Sequence, residues 1–62
     1  MNKNLFIARK ERRMLQKDVG KLVNMHKNTY HLKESGKREF TLKEAQKLAK
    51  YFKTTVDELF EK

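Results

Sequence analysis

Gln16-Lys17-Asp18-Val19-Gly20, then Asn24-Met25, Tyr30 and Glu34-Ser35-Gly36-Lys37, form the stretch whose reading decides the fold. Val19, Leu22 and Val23 recur three and four apart, which puts them on one face of a helix beginning at Gln16. Asn24 breaks that run, and Asn tolerates the left-handed conformation that a sharp turn between helices requires. Met25 re-enters the core, and a second helix is expected from about His26 to Ser35. Gly36 stands where a helix end wants positive φ. Gly20 is small at the point where two helices crossing near a right angle would touch backbone to backbone. This combination is the sequence signature of a helix-turn-helix, although spacing alone also fits an ordinary αα-hairpin in a small bundle.

Charge separates these two readings. The 62 residues carry a net charge of +8. Residues 1–38 hold eleven Lys/Arg against three Asp/Glu, whereas residues 39–62 hold five of each. The whole excess therefore lies on the half that contains the helix-turn-helix, as expected for a polyanion binder rather than for a merely solvated face.

Composition narrows the remaining classes. A chain this short is one domain, 1–62, near the lower limit for folding on its own core. It has no Cys and no Pro and only two Gly, which predicts an all-α protein with short connections and neither a disulfide nor a thiolate metal site. No apolar run approaches the ~20 residues of a membrane span, and the N-terminus lacks the apolar region of a secretory signal. A cytoplasmic protein is the expectation.

Outward from the motif, Asn2 or Asn4 is expected to cap a first helix running to about Arg13. Leu5 and Ala8 share its inner face, with Arg9 and Arg12 continuing the stripe. Arg9 either pairs with a carboxylate such as Glu34 or reaches a phosphate, and pairing is the favoured reading for an Arg at a core edge. Lys10, Arg12 and Arg13 form a basic cluster where the helix dipole favours cations. Phe6 and Ile7 exceed what one apolar stripe needs, and read as extra core in preference to a contact surface. No capping side chain stands just before Gln16, so that helix start offers free N–H groups to a phosphate oxygen or to water.

On the second helix of the motif, Lys27, Asn28, His31 and Leu32 fall on the outer face and Tyr30 points inward. Lys27 has the donors for guanine O6/N7, and Asn28 matches adenine in bidentate fashion. Thr29 suits a phosphate or a thymine methyl; Leu32 suits a thymine methyl or the core. The loop Ser35-Gly36-Lys37-Arg38 is basic and suited to the backbone beside the groove. His26 and His31 are five apart with no ligand partners nearby, so no metal is expected. Thr41-Leu42-Lys43-Glu44 opens a fourth helix with a capping box, its inner face carrying Leu42, Ala45, Leu48, Ala49 and Phe52. Thr55-Val56-Asp57-Glu58 opens a short fifth helix bearing Val56, Leu59 and Phe60 in the same way.

Five helices with Gln16 opening the second, Glu34-Ser35-Gly36-Lys37-Arg38 after the third and Thr55-Val56-Asp57-Glu58-Leu59-Phe60 at the end resemble the phage repressor and Cro (XRE-type) helix-turn-helix family. The resemblance runs from about Leu5 to Phe60. It implies a compact five-helix domain of the lambda-repressor-like type, acting as a transcription regulator on duplex operator DNA, commonly as a homodimer on a palindromic site. It implies Gln16, Thr29 and Lys37 as phosphate contacts and Lys27, Asn28 and Leu32 as base readers. Leu59 and Phe60 become dimer-interface candidates. The chain departs from the family pattern at Arg13 (usually Gly), Leu15 (Thr or Ser), Asn24 (Gly), Phe40 (often Pro) and Lys33 (apolar or aromatic). Lys33 either lays its stem along the core or lets the helix rotate so that Leu32 packs inward.

An enzyme is excluded on inventory: no Cys, no acid pair in an apolar setting, no Gly-rich phosphate loop, and no room for a substrate cavity or cofactor. The rival to DNA regulation is an antitoxin or adaptor whose main partner is a protein, favoured by the apolar surplus at Phe6, Ile7, Phe40 and Tyr51. A basic amphipathic peptide acting at membranes is disfavoured, because the apolar residues have partners to bury against.

Overall fold

Capping chemistry accounts for most of the helix boundaries. The computed structural model describes residues 1–61, which hold five helices and no strand: α1 Lys3–Glu11, α2 Gln16–Leu22, α3 Lys27–Glu34, α4 Leu42–Tyr51 and α5 Val56–Leu59. At α4 the full capping box closes. Thr41 Oγ1 accepts from the Glu44 amide at 3.2 Å, and Glu44 Oε1 accepts from the Thr41 amide at 2.9 Å. At α5 only half of the expected box forms, with Thr55 Oγ1 accepting from the Glu58 amide at 3.1 Å.

Four helix ends share one device. After α1, α2, α3 and α4 the chain turns through a left-handed residue, at Arg13 (φ 54°), Asn24 (52°), Gly36 (89°) and Lys53 (57°). In each case the next amide reaches back to a carbonyl of the last turn: Met14 to Arg9, Met25 to Gly20, Lys37 to Leu32, and Thr54 to Ala49, at 2.8–3.1 Å. These are Schellman closures, which satisfy carbonyls that the helix ends leave free. Asn24 and Gly36 were legible as such; Arg13 and Lys53 are side chains that this conformation disfavours.

The core consists of Leu5, Val19, Val23, Tyr30, Leu48, Ala49, Phe52 and Leu59, with Ala8, Met14, Met25, Phe40, Val56 and Phe60 packed against it. Phe40 bridges Tyr30 and Phe60, with ring centroids 5.9 and 5.3 Å apart, and so joins the α3–α4 connection to the end of the chain.

Several inner-face assignments change. Leu42 is 67 % exposed: it occupies the first position of α4, ahead of the turn where Ala45, Leu48 and Ala49 meet other helices. Leu22 sits at the rim of the core, and Ile7 is exposed rather than extra core. Phe6 is half-buried, with the Arg9 and Lys10 cations 5.4 and 5.6 Å from its ring. Arg12 leaves the inner stripe and lies over Tyr51 and Phe52. Neither asparagine caps α1 with its side chain. Asn2 Nδ2 donates to the Lys33 carbonyl, and Asn4 Nδ2 donates to the Glu58 carbonyl, so both tie α1 to distant helix ends.

Candidate nucleic-acid interface

The corner between α2 and α3 is set by one close approach. A Cβ on Gly20 would stand 2.7 Å from the Met25 carbonyl oxygen and 3.6 Å from Tyr30 Cβ. Glycine is therefore required here, and the tight contact is with the turn as much as with the facing helix. α3 then starts on a histidine cap: His26 Nδ1 accepts from the Asn28 amide at 3.2 Å. His26 stands outside α3, which begins at Lys27. A ring nitrogen thus serves where Ser, Thr, Asn or Asp usually does, which the sequence reading did not anticipate.

The rotation of α3 is fixed from its inner side by charge. Glu34, 2 % exposed, receives Arg9 in bidentate fashion (Nε at 2.9 Å, Nη2 at 3.0 Å), the Tyr30 hydroxyl at 2.6 Å and Gln16 Nε2 at 3.3 Å. The remaining Arg9 nitrogen, Nη1, donates to the Met14 carbonyl at 2.9 Å. Burial by itself would raise the Glu34 carboxyl. The hydrogen bonds from Arg9, Tyr30 and Gln16 outweigh it and hold the group below the usual carboxylate range. The bond to Glu34 raises the Arg9 guanidinium, while burial and the same carboxylate push the Tyr30 phenol far above its ordinary value. Arg9 is thus structural, the favoured of its two readings.

Lys33 is settled too. It is 7 % exposed, its Nζ donating to Glu44 Oε1 at 2.8 Å and lying 5.9 Å from the centre of the Phe40 ring. The position normally apolar is filled by a Lys stem whose head finds the capping carboxylate of α4. Burial would raise Glu44, but the Lys33 bond and the Thr41 amide lower it. Leu32 is half-buried at the edge of the outer face.

With Tyr30, Lys33 and Glu34 turned inward, α3 presents Lys27, Asn28 and His31 to solvent, and Thr29 is half-buried. Lys37 and Arg38, past the end of α3, are exposed. A cleft of about 430 Å³ runs between the starts of α2 and α3, lined by Leu15, Gln16, Lys17, Lys27, Asn28 and His31. It brings Gln16 together with three of the four expected base-reading positions. It also adds Lys17, a cation that periodicity alone could not distinguish from other surface lysines. Gln16 is not free at its helix start: its Nε2 bonds His31 Nδ1 at 3.2 Å as well as Glu34. The start of α2 lacks a capping side chain before it, as expected. Asp18 Oδ2 instead accepts from the Leu15 amide at 2.9 Å.

Of the two residues proposed for a dimer contact, Leu59 is 3 % exposed and committed to the chain's own core. Phe60 is half-buried and lines a groove with Phe40, Leu42, Ala45 and Val56. No group of His, Asp or Glu suited to hold a metal occurs among the described residues. Nor is any helix among them long and apolar enough to cross a membrane.

Comparison with curated proteins and with solved structures found no match. A family model described as Helix-turn-helix matches residues 5–59, nearly the whole chain, with α2 to α5 entire and most of α1. Together with the Gly20–Met25 corner and the exposed outer face of α3, that match shows that the chain belongs to the XRE-type (phage repressor and Cro) helix-turn-helix family of DNA-binding regulators.

Proposed function

We propose that the chain is a sequence-specific regulator of transcription, a repressor in type, that works in the cytoplasm with α3 in the major groove of duplex DNA. The observation that carries this reading is the shared cleft, where Lys27, Asn28 and His31 of α3 border Gln16 and Lys17 of α2. Lys27 donates to guanine O6/N7, Asn28 pairs with adenine, and His31 and the edge of Leu32 complete the base-reading set. Gln16, Lys17, Thr29, Lys37 and Arg38 serve the phosphates on either side and supply most of the sequence-independent affinity.

A homodimer on a palindromic operator accompanies this reading, with Phe60 and the groove formed by Phe40, Leu42 and Val56 as the contact between copies. The exposure of Leu42 supports that face, whereas Leu59 drops out because it is internal. The protein-partner alternative relied on surplus aromatics. Phe40 is packed between Tyr30 and Phe60 and Phe6 is half-buried, while Ile7 and Tyr51 are exposed, so half of that surplus is taken up by the chain's own packing and the cleft at α2 and α3 carries the DNA reading ahead of it.

The test is selection from a random duplex pool at about 150 mM salt, close to physiological screening. A two-fold symmetric motif with half-sites about one helical turn apart is the expected outcome. An asymmetric half-site would remove the dimer but keep the readout, and no enrichment would overturn the reading.

A further inference from the structure

Gln16 is assigned above to a phosphate, and a phosphodiester oxygen only accepts hydrogen bonds. The donor it needs is Nε2, and both Nε2 contacts are already used, one on Glu34 Oε1 at 3.3 Å and one on His31 Nδ1 at 3.2 Å. The orientation of the amide is not free. Glu34 is held ionised by Arg9 and is acceptor-only, so an amide oxygen turned toward it would be repelled. With Nε2 facing Glu34, the same nitrogen faces His31, and Nδ1 must then be the bare acceptor nitrogen of a neutral imidazole. A proton on Nδ1 would oppose two donors and break the contact. The two states of His31 therefore exclude each other at Gln16. The neutral ring holds the second amide hydrogen; the charged ring releases it toward the cleft while Glu34 keeps the first.

We propose that His31 is a positioning residue whose protonation frees the Gln16 amide for a DNA phosphate, so that operator binding takes up one proton at His31. This deepens the reading of the cleft as a DNA interface and rests on it. Charged groups face the ring from both helices of the corner. Lys17 across the cleft on α2 and Lys27 one turn back on α3 are the cations that line the cleft with His31. On the inner side, the Glu34 carboxylate lies behind Gln16 and is already neutralised by Arg9. The Asp18 carboxylate is turned to the Leu15 amide. Phosphates arriving at the cleft neutralise Lys17 and Lys27 and add negative charge beside the ring, which favours an imidazolium in the complex.

The test is affinity for the selected duplex at about pH 5.5 and about pH 7.5, the range in which imidazoles titrate, at fixed ionic strength. Uptake of one proton makes binding about ten-fold tighter at the lower pH, within the limit of one decade per pH unit for a single site. The salt slope should also steepen by about one at low pH, as for one added phosphate neutralisation. Histidine occurs only at positions 26 and 31, so the effect can be assigned by substitution. His31→Gln, which presents an acceptor that does not titrate, should abolish the pH dependence. His26→Ser, which retains an N-cap oxygen, should leave it intact. Gln16→Ala should weaken binding at the lower pH several-fold more than at the higher. Nitrogen-15 spectra of the ring should show one protonated nitrogen in the free protein at the higher pH and two in the complex. Tight, sequence-selective binding with equal affinity at both pH values, or a neutral His31 in the complex, refutes the proposal while leaving the DNA reading standing. No binding at either pH removes both.

Discussion

Replacing Lys53 by Gly should stabilise the protein. Lys53 follows α4 in the left-handed conformation (φ 57°), where its Cβ crowds the following carbonyl oxygen. That strain costs roughly 1–2 kcal/mol for a residue other than Gly, whereas glycine's greater freedom in the unfolded chain returns about 0.5–1 kcal/mol of it. The difference leaves a net gain of about 0.5–1 kcal/mol. Nothing else is lost, since the exposed Lys53 side chain makes no hydrogen bond or ion pair among the described residues. Its backbone bond to Lys50 (3.2 Å) and the neighbouring Thr54 to Ala49 bond (2.9 Å) do not depend on the side chain. For a domain of this size the gain corresponds to a rise in Tm of roughly 2–8 °C. Lys53→Ala is the control, because it removes the charge and the stem but keeps the Cβ. Urea and thermal unfolding of the wild type and both variants would separate the contributions. If Lys53→Ala stabilises as much as Lys53→Gly, the backbone argument is wrong and the gain comes from charge.

Three further outcomes follow from named contacts. Glu34→Gln leaves Arg9 buried against a neutral partner and should destabilise by about 3–5 kcal/mol in denaturant titration, the usual cost of breaking a buried pair. The Glu34 and Glu44 carboxyls are both lowered in the fold, so their contribution is complete above the ordinary carboxylate range; it should disappear as pH falls through the lowered values, giving a wild-type acid transition that Glu34→Gln flattens. Gly20→Ala drives a methyl onto the Met25 carbonyl at 2.7 Å and should cost about 1–3 kcal/mol, with a lower midpoint and an unchanged unfolding slope. In DNA binding, Lys27→Ala and Asn28→Ala should each cost ~1–3 kcal/mol and relax preference at one base position. Lys37→Ala should instead weaken all sequences alike and lower the salt slope by about one; equal scaling by all three would overturn the assignment of α3 as the reading helix.

How far the chain could be read in advance depended on the range of each interaction. Gly20, Asn24, Gly36 and the Thr41–Glu44 box declare themselves because their chemistry is local: a turn, a left-handed residue, two partners three positions apart. Charge asymmetry singled out the half of the chain that holds α2 and α3 for the same reason, as it needs no geometry. Lys33 with Glu44 and Asn2 with the Lys33 carbonyl join residues 11 and 31 positions apart, beyond any periodic pattern. Asn4 likewise looks like a cap, and only its placement beside α5 gives its amide another acceptor. Leu42 misled because helical phase gives direction but not depth, and the first turn of α4 extends past its neighbours. Gln16 was legible as the opening of α2. Its hold on His31 was not, because that contact needs both helices in place.

α3 divides its labour by side. Tyr30, Lys33 and Glu34 are anchored to the rest of the domain by buried hydrogen bonds and ion pairs, whereas Lys27, Asn28 and His31 give almost nothing to packing. Mutational drift at the outer positions is therefore nearly free of any penalty in folding, while the inner ones are locked together across three helices. If α3 reads DNA as proposed, a lineage carrying this scaffold can move to a new operator in single substitutions without passing through an unfolded intermediate sequence. On that proposed readout, retargeting libraries should vary positions 27, 28 and 31 together and leave 30, 33 and 34 untouched.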